Sequence, residues 1–196
     1  MAFGGRSRTG FDLERFVERV RTRRARKVFR WLPARRAAVA LVLDPDGCVL
    51  LARRAERAGD RWSAHVSLPG GMRHADEQLV VTAERETHEE VGLELGTGER
   101  VGALDELRAA ANASVRPMSI SPFVYALGAR PPLALGPEVT EAFWLPLAAA
   151  ASGTLDDRLP YEVLGVTWRF PCWRFEGHVV WGLTLSILRR ALALGA

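Results

Sequence analysis

Residues 71–93 constrain the fold more than any other part of the chain, because they concentrate acidic residues at helical spacing. Glu86, Glu89 and Glu90 stand at i, i+3 and i+4, which places their carboxylates on one face of a helix. We predict that this helix covers residues 76–91. Like charges at this spacing repel each other, so the face requires a counter-ion or ligand that offsets the repulsion.

The carboxylate face predicts a divalent cation. Oxygen ligands of this kind suit Mg²⁺ or Mn²⁺, and Mg²⁺ usually takes few protein carboxylates and completes its shell with water and substrate phosphate. The pattern therefore indicates phosphate chemistry. The alternative is a solvated acidic surface paired with arginine side chains, and the glutamate cluster alone does not exclude it.

The residues around this cluster resemble the Nudix box, G-x(5)-E-x(7)-R-E-U-x-E-E-x-G-U, in which U is aliphatic. The matching positions are Gly71, Glu77, Arg85, Glu86, Glu89, Glu90, Gly92 and Leu93. Thr87 replaces the first aliphatic residue but keeps a methyl group for packing. The chain thus resembles the Nudix hydrolases, which implies an α+β fold built as an α/β/α sandwich with a mixed sheet. The implied reaction is metal-dependent hydrolysis of a diphosphate linkage in a small nucleotide derivative.

The resemblance also implies roles for individual residues. The implied metal ligands are Glu86, Glu90, Glu89 and the backbone carbonyl of Gly71. The implied structural positions are Glu77 and Arg85, which would pair, and Gly92, which would end the helix. Glu89 is alternatively the general base that accepts the proton of the attacking water.

A second candidate for the general base is Glu141. It opens the sequence EAFWLPL, which is typical of a late strand, and some Nudix enzymes take their base from a late strand or loop. The alternative is that Glu138 and Glu141 are ordinary surface acids.

The segment before the box, residues 50–71, resembles the signature of the coenzyme A diphosphatase branch. The matching positions are Leu50, Leu51, Arg54, Pro69, Gly70 and Gly71, while Ala52, Ala64 and Leu68 replace the expected Thr, Gly and Phe. The sequence WGLTLSIL at residues 181–188 is similar to the closing helix of that branch. This resemblance implies cleavage of coenzyme A or its thioesters to 3′,5′-ADP and (acyl)phosphopantetheine.

Four arginines in the same segment are candidates for substrate binding, since guanidinium forks suit phosphate. They are Arg53, Arg54, Arg57 and Arg61. The alternative is surface pairing with Glu56 and Asp60. Trp62 and His65 either stack on an adenine ring or pack the loop.

Two other classes of function stay open. Within the same family, the chain would be an ADP-ribose or nucleotide-sugar diphosphatase, or a nucleoside triphosphate sanitiser. Outside catalysis, it would be a nucleotide- or RNA-binding module. The three retained glutamates weigh against a pure binder, which has no need of mutually repelling carboxylates.

The rest of the sequence predicts one α+β domain with helices on both sides of a sheet. The predicted helices cover residues 11–30, 76–91 and 179–194. The predicted strands cover residues 37–44, 48–54, 120–127 and 141–147, and residues 161–173 are assigned to turns or an edge strand.

Charge is distributed unevenly along the chain. Residues 1–36 carry 12 Lys/Arg and three Asp/Glu, a balance of +9, and the remainder has a balance of −5. We assign residues 1–36 to a basic N-terminal arm with a helix, and residues 37–196 to the hydrolase domain. The arm either contacts an anionic partner, such as nucleic acid, or is a solvated helix. In the second case, deleting residues 1–36 should leave turnover largely unchanged.

Hydrophobicity and cysteine content bear on location. The longest plain apolar run covers residues 37–43, too short to span a bilayer, and no secretory signal is recognised, so we expect a cytoplasmic protein. Cys48 and Cys172 make no disulfide framework, and we expect both to be reduced.

Overall fold

The computed structural model describes residues 10–28, 35–56, 64–97, 99–109, 118–163 and 165–196. The helices in this part are α1 (Leu13–Thr22), α2 (Leu79–Val91), α3 (Leu147–Ala151) and α4 (Gly182–Gly195). The strands are β1 (Arg35–Leu43), β2 (Cys48–Arg54), β3 (Val66–Ser67), β4 (Gly70–Met72), β5 (Glu99–Ala103), β6 (Leu107–Ala109), β7 (Met118–Ala126), β8 (Val139–Pro146), β9 (Asp156–Val163), β10 (Val166–Phe175) and β11 (His178–Trp181).

A mixed sheet forms the centre of the molecule. Its strand order is β3-β2-β1-β7-β5, with β4 on β1, β6 on β7 and β8 on β2. Strands β1 and β7 run parallel, whereas the other pairs in this sheet are antiparallel. Strands β9, β10 and β11 form a separate antiparallel sheet.

Helices cover both faces of the central sheet. On one face, Ala83 and Val91 of α2 pack in a cluster with Ala40 and Leu50 of the sheet. On the other face, α1 and α4 pack against the sheet through residues such as Phe16 and Leu188. Strands β1 and β2 are buried on both sides, which explains their continuous apolar sequences. This arrangement confirms the predicted α+β sandwich with a mixed sheet.

Helix α1 is shorter than the predicted helix of residues 11–30. It ends at Thr22, and the next residue, Arg23, has extended backbone angles. The chain beyond the helix binds a loop of the domain instead of its own backbone. The N–H of Arg26 donates to Asp105, and the Arg26 carbonyl accepts from the N–H of Glu106 at 2.9 Å.

Helix α1 also belongs to the core of the domain. Phe16 and Val20 are buried in the same cluster as α4. The N–H of Asp12 donates to the carbonyl of Gly195, and Arg19 donates to the carbonyl of Leu194. The deletion of residues 1–36 therefore removes part of the core together with the arm.

Other element boundaries differ from the predictions because of contacts that a local pattern does not contain. Helix α2 begins at Leu79 rather than near residue 76, because Gln78 has extended backbone angles and the Glu77 carboxylate before it binds Arg85 eight residues later. Helix α4 begins at Gly182 rather than 179, because residues 178–181 pair with β10. The stretch assigned to turns or an edge contributes to the hairpin of β9 and β10.

Both cysteines are buried free thiols, as predicted. In the described ranges, no helix has the length and apolar character needed to cross a membrane.

Candidate active site

Two consecutive glycines of β4 lie against the carboxylates of α2. The N–H of Gly70 donates to Oε2 of Glu90 at 3.1 Å. A Cβ atom on Gly71 would lie 2.5 Å from the Glu86 carboxylate, so that carboxylate occupies space that any side chain would fill. The pairing of β4 with β1 holds both glycines in this position. The sequence LPGG therefore brings bare backbone next to two acidic side chains.

The two carboxylates lie in an environment poor in water. Glu90 is only 4% exposed, and burial raises its pKa to about 7 even though Gly70 and Arg54 favour the charged form. Burial likewise raises the pKa of Glu86. A buried carboxylate is costly unless it is paired. A bound cation would remove that cost, which is what a metal-binding role requires.

Arg54 connects this site to β2 and β8. Its Nη1 atom lies 3.6 Å from Oε1 of Glu90, and its Nη2 atom lies 3.8 Å from Oε2 of Glu138. The backbone fixes the second contact, because the N–H of Ala55 donates to the carbonyl of Glu138 at 2.8 Å. Arg54 and Glu138 therefore lie at the rim of the carboxylate site.

Arg85 binds the box residues on the outer side of α2. Its Nε atom lies 3.0 Å from Glu77, and its Nη1 atom lies 3.0 Å from Glu86 and 2.9 Å from Glu89. The hydrogen bond from Arg85 is the largest contribution that lowers the pKa of Glu77, which is about 2. Arg85 also donates to the carbonyl of Met72, which ties the loop before α2 to the helix.

Glu89 is placed differently from its two neighbours on the helix. Its side chain is 55% exposed and pairs with Arg85. Consistent with this, the described residues contain no group of three or more His, Cys, Asp or Glu side chains gathered closely enough to hold a metal ion. The buried Glu90 and the partly buried Glu86 still fit Mg²⁺, which takes few protein carboxylates and prefers oxygen ligands.

Helix α2 ends where the box glycine stands. Gly92 has a φ angle of 69°, and its N–H donates to the carbonyl of His88 at 2.9 Å. The left-handed conformation suits glycine because it has no Cβ.

Comparison with known proteins identifies the family. A family model of the NUDIX domain matches residues 33–164, which is more than half of the chain. This chain belongs to the Nudix family. The uncharacterized Nudix hydrolase NudL of Yersinia pestis is 31% identical over 159 residues, covering 79% of this chain and 77% of NudL. The predicted class, a Nudix hydrolase of diphosphate anhydride bonds, is confirmed at this level.

Two further similarities extend the comparison. The uncharacterized protein C14C4.10c of Schizosaccharomyces pombe is 46% identical over 105 residues, which cover 51% of this chain. Those residues span only 32% of the yeast protein, about a third of its length. The crystal structure of a MutT/nudix family protein from Enterococcus faecalis superimposes with a TM-score of 0.54 and 16% identity. That match covers 91% of this chain and 68% of the bacterial one, and it supports the fold.

The other predicted site residues of this Nudix chain lie on the opposite face of the sheet. Successive residues of a strand point to opposite faces, so Arg53 projects away from the face on which Arg54 meets Glu90. Glu141 stands directly opposite Arg53 in the pairing of β2 with β8. Its carboxylate lies 3.2 Å from Nε2 of His178. Glu141 is therefore placed apart from the box glutamates, and Glu138 is the acid of this region that approaches them.

Three candidate residues of the segment before the box fall outside the described residues. Arg57, Arg61 and Trp62 lie in the range 57–63, which the structure does not describe.

The sequence does not single out His178 and Tyr161, because it predicts a helix boundary at the first and turns or an edge strand at the second. The alternation of large and polar residues in TWRFPCWRF, residues 167–175, is the signal that indicates a strand there.

Proposed function

We propose that this chain is a Mg²⁺- or Mn²⁺-dependent diphosphatase that hydrolyses coenzyme A or its thioesters to 3′,5′-ADP and (acyl)phosphopantetheine. The observation that carries the metal-dependent chemistry is the placement of the buried Glu90 carboxylate and the partly buried Glu86 carboxylate against the backbone of Gly70 and Gly71. Nudix hydrolases generally use divalent ions such as Mg²⁺, and their substrates are nucleotide derivatives.

Glu86 and Glu90 would hold the metal, with the carbonyl of Gly71 as a further ligand. A bound divalent ion supplies charge that polarises a phosphoryl oxygen and lowers the pKa of a water molecule. The protein contributes the position of the donors, since Gly70 binds one oxygen of Glu90 and Gly71 leaves room for Glu86.

Glu89 is our candidate for the general base. Its side chain is half-exposed on the helix that carries both ligands, so it is accessible to a water molecule beside the site. Arg85 holds its carboxylate at 2.9 Å and thereby limits its orientations. Glu138 is the rival base, because it lies across Arg54 from Glu90. Glu141 is less suitable, since it projects from the opposite face of the sheet.

Arg54 is our candidate for binding a substrate phosphate. Its Nη atoms lie 3.6 Å from Glu90 and 3.8 Å from Glu138, so a phosphate bound by this guanidinium would lie beside the proposed metal ligand Glu90. Two-pronged hydrogen bonding to phosphate is a property of arginine that lysine does not share.

The coenzyme A assignment is supported by the resemblance of residues 50–71 to the coenzyme A diphosphatase signature. Leu50 and Leu51 are fully buried, so those matches belong to packing rather than to recognition. Arg54 is the matching residue whose side chain reaches the carboxylate site. The proposed specificity therefore rests on Arg54 and the surrounding loop.

Product analysis tests the proposal. The purified protein is incubated with coenzyme A, ADP-ribose and a nucleoside triphosphate, with and without Mg²⁺, beside the Glu90→Gln variant. We expect metal-dependent release of 3′,5′-ADP and phosphopantetheine, which the variant largely loses. Cleavage of ADP-ribose or the triphosphate alone would discard the coenzyme A assignment. Nucleotide binding with no cleavage of any compound would indicate a non-catalytic module.

A further inference from the structure

A cleft of about 520 Å³ opens on the face of the central sheet opposite α2. It lies between the end of β2 and the three-stranded sheet. Its lining includes Arg53, His65, Glu141, Tyr161, His178 and Trp181. A volume of this size falls within the range of small-molecule sites. None of these residues belongs to the Nudix box.

One wall of the cleft is aromatic. The rings of Tyr161 and Trp181 have centroids 5.0 Å apart, and the ring of His65 meets Trp181 at 5.1 Å. Phe170 supports the other side of this wall, at 6.1 Å from Trp181. Tyr161 is 44% exposed, so the wall presents ring surface to the cleft as well as to the protein. Such a wall suits a flat π system, because nucleobases stack on aromatic side chains.

The opposing polar groups are a held carboxylate and a guanidinium. One oxygen of Glu141 lies 3.2 Å from Nε2 of His178, and the His178 ring is stacked on Phe143 with centroids 4.0 Å apart. His178 is buried, whereas Glu141 is 49% exposed. The contact with His178 thus orients the Glu141 carboxylate, which is available in the cleft as a hydrogen-bond acceptor. Arg53 stands opposite Glu141 in the sheet and supplies positive charge.

The cleft and the carboxylate site share one strand end. Arg53 lines the cleft, and the next residue, Arg54, lies beside Glu90 on the other face. These consecutive residues point to opposite faces of the sheet, so a ligand that binds at both sites would extend around the end of β2. A nucleotide diphosphate has this form, with a base at one end and the scissile linkage some distance away.

We propose that this cleft binds the nucleobase of the substrate, as an amino-substituted purine of the adenine type. The base stacks on Trp181 and Tyr161, its exocyclic amino group donates to Glu141, and Arg53 contacts a phosphate of the same nucleotide half. The inference rests on the proposed function for the expectation of a nucleotide substrate. A pantetheine arm fits the lining less well, since it has no π face to set against the aromatic wall.

Binding of AMP and IMP tests the inference without turnover. The two nucleotides differ at C6 of the base, where adenine carries an amino group that can donate to Glu141, whereas hypoxanthine carries a carbonyl oxygen there and a hydrogen on N1. Calorimetry on the full chain should show AMP binding about 10-fold tighter than IMP, the effect of one hydrogen bond to a charged acceptor. In Glu141→Gln this preference should disappear. In Trp181→Leu the affinity for both nucleotides should fall about 10-fold, as for the loss of a stacking residue.

A matched control is Trp168→Leu, which removes an exposed tryptophan of β10 that does not line the cleft. It should bind both nucleotides as the wild type does. Thermal unfolding of each variant shows whether it is folded. If Trp181→Leu proves unstable, Glu141→Gln still tests the inference, because it changes no apolar packing.

Three results would overturn the inference. They are absence of AMP binding by the wild type, an AMP affinity unaffected by both substitutions, and Trp181-dependent binding of phosphopantetheine in place of AMP. Failure of the proposed function looks different. In that case no diphosphate compound is hydrolysed, yet the preference for AMP over IMP and its dependence on Glu141 are retained.

Discussion

The guanidinium of Arg54 lies 3.6 Å from the carboxylate of Glu90, although 36 positions separate the two residues in the sequence. A residue of the segment before the box and a candidate metal ligand within it thus form one ionic cluster. Within this cluster Glu90 is buried, with only 4% of its surface exposed. A change in the charge of either group therefore affects the other strongly, because a poorly solvated environment screens charges less than water does.

Gly71→Ala should disturb the proposed metal site and leave the fold intact. The new Cβ would lie 2.5 Å from the Glu86 carboxylate, and the end of that flexible side chain has to move away. We expect at least about a 10-fold loss of activity at limiting Mg²⁺, consistent with about 1.4 kcal/mol of lost stabilisation. Enzyme assays across a Mg²⁺ titration measure this, with thermal unfolding to show that the fold is retained.

Gly128→Ala is the matched control for this substitution. A Cβ at Gly128 would meet no atom within 4 Å, so activity and Mg²⁺ dependence should match those of the wild type. Wild-type Mg²⁺ dependence in Gly71→Ala would contradict the assignment of Glu86 as a metal ligand.

The carboxylate helix was predictable because its geometry is local. The spacing of the glutamates fixes a common face within one element, and it does not depend on where the rest of the chain lies. The spacing does not show which of Glu89 and Glu90 is buried against the sheet. A rotation of about 100° per residue turns one toward the sheet and the other toward solvent, and only the position of β4 determines which.

The missed features depend on pairing between distant segments. Residues 178–181 continue an apolar stretch that reads as helix, but they pair with β10 and thereby place His178 beside Glu141. In the same way, Arg53 and Arg54 look equivalent in the sequence. Because they are consecutive residues of β2, they point to opposite faces, and the pairing of β2 with its neighbours determines that Arg53 lines the cleft and Arg54 meets Glu90.

Two substitutions distinguish the candidates for the general base. Glu89→Gln should lower kcat by about 100-fold or more at saturating Mg²⁺, which is the lower range for loss of general base catalysis. Glu138→Gln should change kcat only a few-fold. Steady-state rates measured over a range of pH and Mg²⁺ test both. If high Mg²⁺ restores the Glu89→Gln rate, Glu89 is a ligand rather than the base. If Glu138→Gln loses the larger factor, the base is Glu138.

Phe16→Ala tests whether α1 is part of the domain core. Phe16 is fully buried against α4 and the sheet, so its truncation should lower the free energy of unfolding by about 3–5 kcal/mol. Urea denaturation measures the change, and Arg24→Ala, at an exposed position outside the helix, is the control. At a temperature where the variant is folded, kcat should be close to that of the wild type. A loss below about 1 kcal/mol would mean that α1 does not pack as described.

The ion pair of Glu77 with Arg85 should make stability depend on acid pH. The pKa of Glu77 is about 2 in the folded protein and near 4.5 in the unfolded chain, so the carboxylate stabilises the fold above pH 4.5. This contribution is lost as the pH falls toward 2, because protonation then favours the unfolded state. At neutral pH, Glu77→Gln should lower the free energy of unfolding by about 1.5–3 kcal/mol, the range for hydrogen bonds to charged groups.

The difference between the wild type and Glu77→Gln should therefore shrink between pH 4.5 and pH 2. Urea unfolding at several pH values gives this curve. Glu18→Gln is the control, since Glu18 is exposed on α1 and its substitution should change the free energy of unfolding little. A Glu77→Gln difference that stays constant from pH 6 to pH 2.5 would show that Glu77 acts through packing rather than through its charge. Arg85 would then be held mainly by its contacts with Glu86 and Glu89.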